Sequence, residues 1–293
     1  MKQPLDLAKW LVTSIRDFVN NSPENTLRNE TGEKAWDNPL VGFSRGDDHL
    51  YEDYKEYVGP FHWTPREIFL QTFPEIKVAS NDLTVISWIL PHTEATKADN
   101  QKKKTYPAQR WARARHFGEE TNNTLRSHVV AVLKTKGYKA VAPVLSVHWT
   151  RKISDLHGFA STWSERHVAY ASGLGTFGLC DGLITARGKA IRAGSVVAQI
   201  HVTPTPRLYN DHHAYCLFYA RGTCKKCISR CPVGAISETG HDKLKCGTHT
   251  HGRSRDYISS HYGFATDACG LCQTKVPCES KNPTMNPRKS DLL

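Results

Sequence analysis

No apolar run in the 293-residue sequence reaches the roughly 18 residues of a membrane helix, so the chain is not expected to span a bilayer. The opening Met-Lys-Gln-Pro-Leu-Asp lacks the charged, apolar and small-residue regions of a secretory signal, and no twin arginine is present, so a cytoplasmic location is expected. Apolar residues make up 39% and charged residues 23%, which excludes wholesale disorder and a collagen-like repeat. At roughly 150 residues per domain the length predicts about two domains. Acidic residues are short of basic ones, 28 against 39, for a formal charge of +11. Such a balance suits an acidic partner, whether nucleic acid or protein.

Cysteine is missing from the first 179 residues and then abundant. After Cys180 come Cys216, Cys224, Cys227, Cys231, Cys246, Cys269, Cys272 and Cys278. A secreted disulfide scaffold would be short and carry a signal, so a metal is the better reading. Cys224-Lys-Lys-Cys227-Ile-Ser-Arg-Cys231-Pro232 matches the end of the bacterial ferredoxin run C-x2-C-x2-C-x3-C-P. That run would begin at Arg221, which cannot ligate iron, and Cys216 takes its place through a longer loop. In two-cluster ferredoxins the cysteine before proline serves the other cluster. The expected sets are therefore Cys216, Cys224, Cys227 and Cys278 for one 4Fe–4S cluster, and Cys231, Cys246, Cys269 and Cys272 for a second. Paired C-x2-C units also build zinc ribbons, which is the alternative. Two oxidised four-thiolate clusters at about −2 each would lower the net charge toward roughly +7.

Elsewhere the pattern alternates between helix and strand, which predicts an α/β layer structure. Residues 5–19 place Leu7, Leu11, Ile15 and Val19 on one helical face, with a stop at Asn20-Asn21-Ser22-Pro23. Residues 22–65 read as an irregular aromatic wrap containing Tyr51, Tyr54, Tyr57, Phe61, His62 and Trp63. Strands are expected at 83–90, 139–146, 182–186 and 195–203, and helices at 108–134 and 163–172. The basic stretch of Lys102, Lys103, Lys104, Arg110, Arg113 and Arg115 could touch phosphates, although a solvated face is the plainer reading.

Gly173-Leu174-Gly175-Thr-Phe-Gly178 fits G-x-G-x-x-G, but helix precedes it and strand follows, and no acid occurs between Gly182 and Asn210. The order and the missing acid argue against a dinucleotide site. Three glycines in six residues do allow a tight turn or close approach to a flat group.

The order Glu165-Arg166, Gly173-Leu-Gly175-x-x-Gly178, strands and then ferredoxin-like cysteines resembles the epoxyqueuosine reductase and reductive dehalogenase superfamily over roughly residues 80–280. Gly182-Leu-Ile-Thr-Ala-Arg-Gly188 resembles the dehalogenase segment after the glycine turn. The resemblance implies a nitroreductase-like α/β domain binding base-off cobalamin, assigned to residues 1–204, and a ferredoxin-like two-cluster domain, assigned to 205–293. It implies that Gly173, Leu174, Gly175, Gly178 and Cys180 lie on the cobalamin side. Cys180 itself reads as a small packed residue rather than an axial ligand.

The departures are specific. The proton-donating aspartate of epoxyqueuosine reductases falls at Phe159, which leaves Asp155 and His157 as substitutes, with Tyr54 or His62 as further candidates. Too few residues follow Cys278 for the helical-repeat domain that helps larger relatives hold tRNA. The leading expectation is a cobalamin-dependent reductase of a small organic substrate, with electrons from a low-potential ferredoxin or flavodoxin. Two others stand beside it. One is an electron-transfer or corrinoid-reducing protein with no substrate of its own. The other is a tRNA-modifying reductase whose basic helix is the RNA footprint.

Overall fold

Thr84–Pro91 is buried along its whole length, which a strand achieves only in the middle of a sheet covered on both faces. The computed structural model describes residues 6–155 and 158–285. Along the chain run α1 (Leu7–Asn21), β1 (Leu40–Arg45), α2 (Leu50–Tyr57), α3 (Pro65–Thr72), β2 (Thr84–Pro91), α4 (Glu94–Gln101) and α5 (Gln109–Thr135). Next come β3 (Ala140–Val141), β4 (Arg151–Ser154), β5 (Gly158–Ser161), α6 (Glu165–Ala171), β6 (Gly175–Phe177), β7 (Leu183–Thr185) and β8 (Ile191–Ala198). The cysteine-rich part holds α7 (Leu217–Arg221), α8 (Lys226–Arg230), the short pair β9 (Ile236–Ser237) and β10 (Gly240–His241), α9 (Lys243–Thr248) and α10 (Ser254–Tyr262).

The main sheet has the order β1-β2-β8-β3, and every neighbouring pair is antiparallel. Because strand side chains alternate, Ile86, Trp88 and Leu90 join Leu11, Ile15 and Val19 of α1 and Leu125, Val129 and Leu133 of α5 on one face. Val85 joins Tyr51, Tyr54, Ile68, Phe69 and Val168 from α2, α3 and α6 on the other. Helices thus cover both sides, and the mixed α/β expectation holds, with antiparallel pairing within the sheet.

Several local readings change. Residues 22–65 contain β1 and α2 rather than only an irregular wrap. Gly42 hid the strand, because glycine weakens a strand pattern; here a Cβ would lie 2.4 Å from the Ser172 carbonyl. The strand read at 139–146 pairs only over Ala140–Val141, since Pro143 offers no N–H to the ladder. The strand read at 195–203 is shifted to Ile191–Ala198. Gly194 stands opposite Trp88 in that register, and a Cβ there would meet the indole at 2.5 Å. The Trp88 Nε1–H donates to Asn122 Oδ1 at 2.9 Å, which ties β2 to α5.

Hydrophobic clusters also cross the expected boundary at 204. Leu179 and Ile184 pack with Cys216, Cys227, Ile236 and Cys278, and Trp111 and Ala112 pack with Ile258 and Ala268. Among the described residues no helix is long and apolar enough to cross a membrane.

His62 gives the fold a pH dependence. It is fully buried, and its Nε2 accepts the Ser164 N–H at 3.2 Å, so it must be neutral. Burial pulls its pKa down to about 4. An unfolded histidine titrates near 6.5, so the unfolded chain binds more protons between those values. This contribution is present above about pH 6.5 and is lost as pH falls toward about 4. The stability advantage of the native chain over His62→Phe should shrink by about 3 kcal/mol between pH 7 and pH 4 in urea titrations. A pH-independent difference would remove this account.

Candidate functional site

Eight cysteines reach their positions from five separate stretches of chain, 216, 224–231, 246, 269–272 and 278. Cys216 caps the start of α7, Cys224 precedes α8, and Cys227 lies within α8. Cys231 is four residues beyond Cys227, a spacing that would keep both on one helix face. The helix ends first, however: Cys231 is extended (φ −75°, ψ 115°) and Pro232 blocks continuation. The two sulfurs therefore go to different places. Cys216, Cys224, Cys227 and Cys278 line one cavity together with Gly178, Leu179, Ile184 and Lys189. Cys231, Cys246, Cys269 and Cys272 line a second cavity, of about 290 Å³.

Cys278 reaches the first cavity because its segment is clasped by the turn after β7. The Lys189 N–H donates to the Cys278 carbonyl at 2.8 Å, and the Ala190 N–H donates to that of Glu279 at 3.1 Å. Gly188 makes this approach possible: its φ is +78°, and a Cβ would lie 2.1 Å from the Glu279 carbonyl oxygen. Arg230 holds the other loop, donating from Nε to the Leu271 and Thr274 carbonyls at 3.1 Å each, around Cys272.

Each cavity gathers thiols, soft donors of the kind that ligate iron–sulfur clusters or zinc. Among the described residues no three His, Cys, Asp or Glu side chains converge where a single ion could sit. Burial pushes the Cys269 thiol up to about 12 and the Cys278 thiol up to about 11, so both are neutral unless a bound cation favours the thiolate.

The second cavity extends past its cysteines into the α/β layers. Trp36, His92, Trp111, Arg115, Arg166, Arg192, His241 and His251 line it. His92 follows β2 and lies between two indoles, its ring centroid 4.0 Å from that of Trp111 and 4.7 Å from that of Trp36. It is 5% exposed, and among the described residues its Nδ1 has no hydrogen-bond partner. Burial, then Arg192 and Lys97, lower its pKa to about 3, so it is neutral. Arg192 pairs with Glu119, whose other oxygen accepts from Arg126 at 3.0 Å. Arg126, 1% exposed, continues to Glu165 at 3.0 Å, and Ser195 donates to Glu165 at 2.6 Å. Burial alone would raise Glu119, but Arg192, Arg126 and Arg115 hold it down to about 2. Arg192 and burial together lower Arg115 to about 10, a sign of positive charge concentrated at the cavity wall.

A corrinoid matches this lining in its chemistry, since guanidinium and imidazole groups suit a polar rim. The space is tighter: His92 fills the gap between the indoles, and the cavity of about 290 Å³, which the thiols also face, is below the usual size of a ligand site.

The candidates from the glycine motif divide. Gly178 lines the first cavity and Cys180 the second, whereas Gly173, Leu174 and Gly175 line neither. Glycine at 175 and 173 is explained by packing: a Cβ would lie 2.3 Å from the Ile184 carbonyl oxygen at the former and 2.9 Å from that of Pro206 at the latter.

The proposed proton donors fare less well. Tyr54 is buried in the core on the α2 side, its hydroxyl donates to the His167 carbonyl at 2.8 Å, and it lines neither cavity. His62 is in the same core. Asp155 is exposed at the β4–β5 turn and also lines neither cavity, and His157 lies outside the described residues. Phe159, at the family's acid position, packs on Gly247 and approaches His251, with ring centroids 5.9 Å apart.

Of the basic stretch, Arg110 pairs with Glu33 and Asp99, and Lys102 with Asp99 at 3.3 Å. Arg113 lies over Phe117 and Phe264, so only Arg115 reaches the cavity. Sequence reasoning missed His92, Glu119, Arg126, Arg192 and Lys189. Two polar residues within the α5 pattern, Glu119 and Arg126, were the available signal for a buried charge network.

No family model matches the chain, and no curated protein matches it in sequence. Solved structures match in fold. A selenomethionine-labelled epoxyqueuosine reductase superimposes with a TM-score of 0.51 at 17% identity, over 93% of this chain and 65% of that one. A reductive dehalogenase whose structure suggests a mechanism for B12-dependent dehalogenation gives 0.53 at 14%, over 86% and 32%. A catabolic reductive dehalogenase in complex with 3-bromo-4-hydroxybenzoic acid gives 0.53 at 13%, over 98% and 39%. The chain thus spans about two thirds of the first and about a third of the others.

The crossed arrangement of cysteines can be tested. Were each cavity to hold a 4Fe–4S cluster, Cys278→Ser would lose four of about eight irons. Adding Cys216→Ser should lose no more, whereas adding Cys269→Ser should abolish the remainder. Iron and sulfide analysis showing the reverse would mean that Cys278 serves with its sequence neighbours.

Proposed function

We propose that this chain, which has the fold of epoxyqueuosine reductases and reductive dehalogenases, is an iron–sulfur reductase that binds base-off cobalamin against its second cluster and reduces a small organic substrate. The observation that carries the reading is the division of eight cysteines between two cavities, four to each, with Cys180 also on the wall of the second, which is continuous with the space walled by His92, Trp36 and Trp111. Bound there, the clusters would supply low-potential one-electron transfer and the cobalamin a strongly reducing cobalt centre.

The chain's own residues orient, exclude water and carry protons. Trp36 and Trp111 form the apolar wall. His92, held neutral, offers a hydrogen-bonding nitrogen without bringing a charge. Arg115 and Arg192 set a positive field that favours an anionic group, and the Glu119–Arg126–Glu165 network fixes Arg192 in place. His241 pairs with Asp181 at 3.2 Å and His251 with Asp267 at 2.9 Å, which makes them the proton-carrying side chains of the cavity. They stand in for the aspartate that Phe159 replaces.

A second reading, reduction of a corrinoid for a partner enzyme, is favoured by one observation: the apolar Phe159 sits where the family's acid would be. In both readings the electrons come from a low-potential ferredoxin or flavodoxin.

Anaerobically reconstituted protein should hold about eight irons per chain and, on titration with cobalamin, give the electron paramagnetic resonance spectrum of base-off cob(II)alamin. Trp111→Ala should weaken that binding by at least about tenfold, the effect of roughly 1.4 kcal/mol of lost ring contact. Full iron content with no cobalamin binding would contradict the cobalamin reading and leave an iron–sulfur electron carrier.

A further inference from the structure

Between the two thiol-lined cavities lies a single buried ammonium group. Lys189 is 3% exposed, and its Nζ is 3.2 Å from Cys180 Sγ, itself buried. Lys189 lines the first cavity and Cys180 the second, so the pair crosses the partition between them. The Cys180 thiol interacts with Cys227 of the first set and Cys272 of the second.

Local structure fixes this placement. Cys180 rides the tight turn from Gly178 to Gly182, where Asp181 has a φ of 56° and the Gly178 N–H donates to the Gly182 carbonyl at 2.8 Å. Gly182 leaves room for both side chains: a Cβ there would lie 3.4 Å from Cys180 Sγ and 3.6 Å from Lys189 Cδ. The Lys189 backbone is pinned to the Cys278 carbonyl.

Among the described residues the groups that face this ammonium are thiols, Cys180 first, and no carboxylate pairs with it. A buried cation without an anion is strongly disfavoured. Neutral thiols would leave it so, whereas two four-thiolate clusters would place about −2 of charge on each side. We propose that Lys189 is the counter-charge shared by the two iron–sulfur clusters, held in the partition by Cys180, and that it raises the reduction potential of both.

This inference rests on the two-cluster reading. Each reduction adds one electron from the ferredoxin- or flavodoxin-class donor, with no bond made or broken and no proton required. A fixed cation close to both sites favours the more negative product in each case. Cys180 is a positioning residue here and not a ligand, which leaves all eight remaining cysteines for iron.

The test is an EPR-monitored redox titration of reconstituted Lys189→Met, with iron and sulfide measured first. Both midpoints should fall, each by at least about tenfold in the reduction equilibrium, which is about 59 mV for one electron. Lys189→Arg should keep both near their native values, and Cys180→Ala should keep full iron. Unchanged midpoints in a fully loaded Lys189→Met protein, or a fall in only one, would overturn the shared role. If Lys189→Met fails to retain iron, Lys189→Arg decides: full loading shows that the charge is what is required, and loss there too shows a packing role and overturns the proposal. Native protein that takes up no clusters overturns the two-cluster reading itself, and this inference with it.

Discussion

The closure of the segment around Cys278 onto the turn at Gly188 is the constraint on which the site depends. Without the hydrogen bonds from Lys189 and Ala190 to the Cys278–Glu279 backbone, the first cavity would lack its fourth thiol. The same clasp places Lys189 in the partition and brings the cysteine-rich part against β7. It requires a residue with no Cβ at 188, since the carbonyl oxygen of Glu279 occupies that space. One glycine therefore links the geometry of the α/β layers to the completeness of the first cavity's set of four thiols.

Electrostatics follow from that packing. The cavities gather buried thiols that burial holds protonated, alongside cations that burial penalises: Lys189 in the partition, and Arg115 and Arg192 at the wall of the second cavity. Metal-bound thiolates would resolve both penalties together, because ionised sulfur would then face fixed positive charge. Arg126 and Glu165 do the equivalent work without metal, pairing within the core and anchoring Glu119 beneath the cavity wall. The positive excess of the whole sequence is thus partly an internal property of the site rather than only a surface for acidic partners.

Much of this was legible in the residues. The three-residue gap before Cys231-Pro232 was the ground for expecting Cys227 and Cys231 in different sets; the two line different cavities, with the helix ending between them. The long helix and the central strand were readable from periodicity, since burial on a helix face or a two-sided strand leaves a plain pattern. Strand β1 was not, because Gly42 is there for contact with the Ser172 carbonyl, a constraint that no local window contains. Tyr54 was ambiguous for a related reason: an aromatic residue in a polar stretch reads the same whether it lines a pocket or, as here, packs beneath α6. His92 and Lys189 were invisible, since their significance lies in what is absent around them, a partner for Nδ1 and a carboxylate for Nζ.

The central claim is that two four-iron clusters occupy two cavities with crossed ligand sets. Anomalous diffraction at the iron edge, from crystals of anaerobically reconstituted protein, tests it most directly. The account predicts two separate four-iron peaks, one bounded by Cys216, Cys224, Cys227 and Cys278, the other by Cys231, Cys246, Cys269 and Cys272, with Lys189 between them. Isolated single-metal peaks, or a cluster bound by Cys269, Cys272 and Cys278 together, would contradict it.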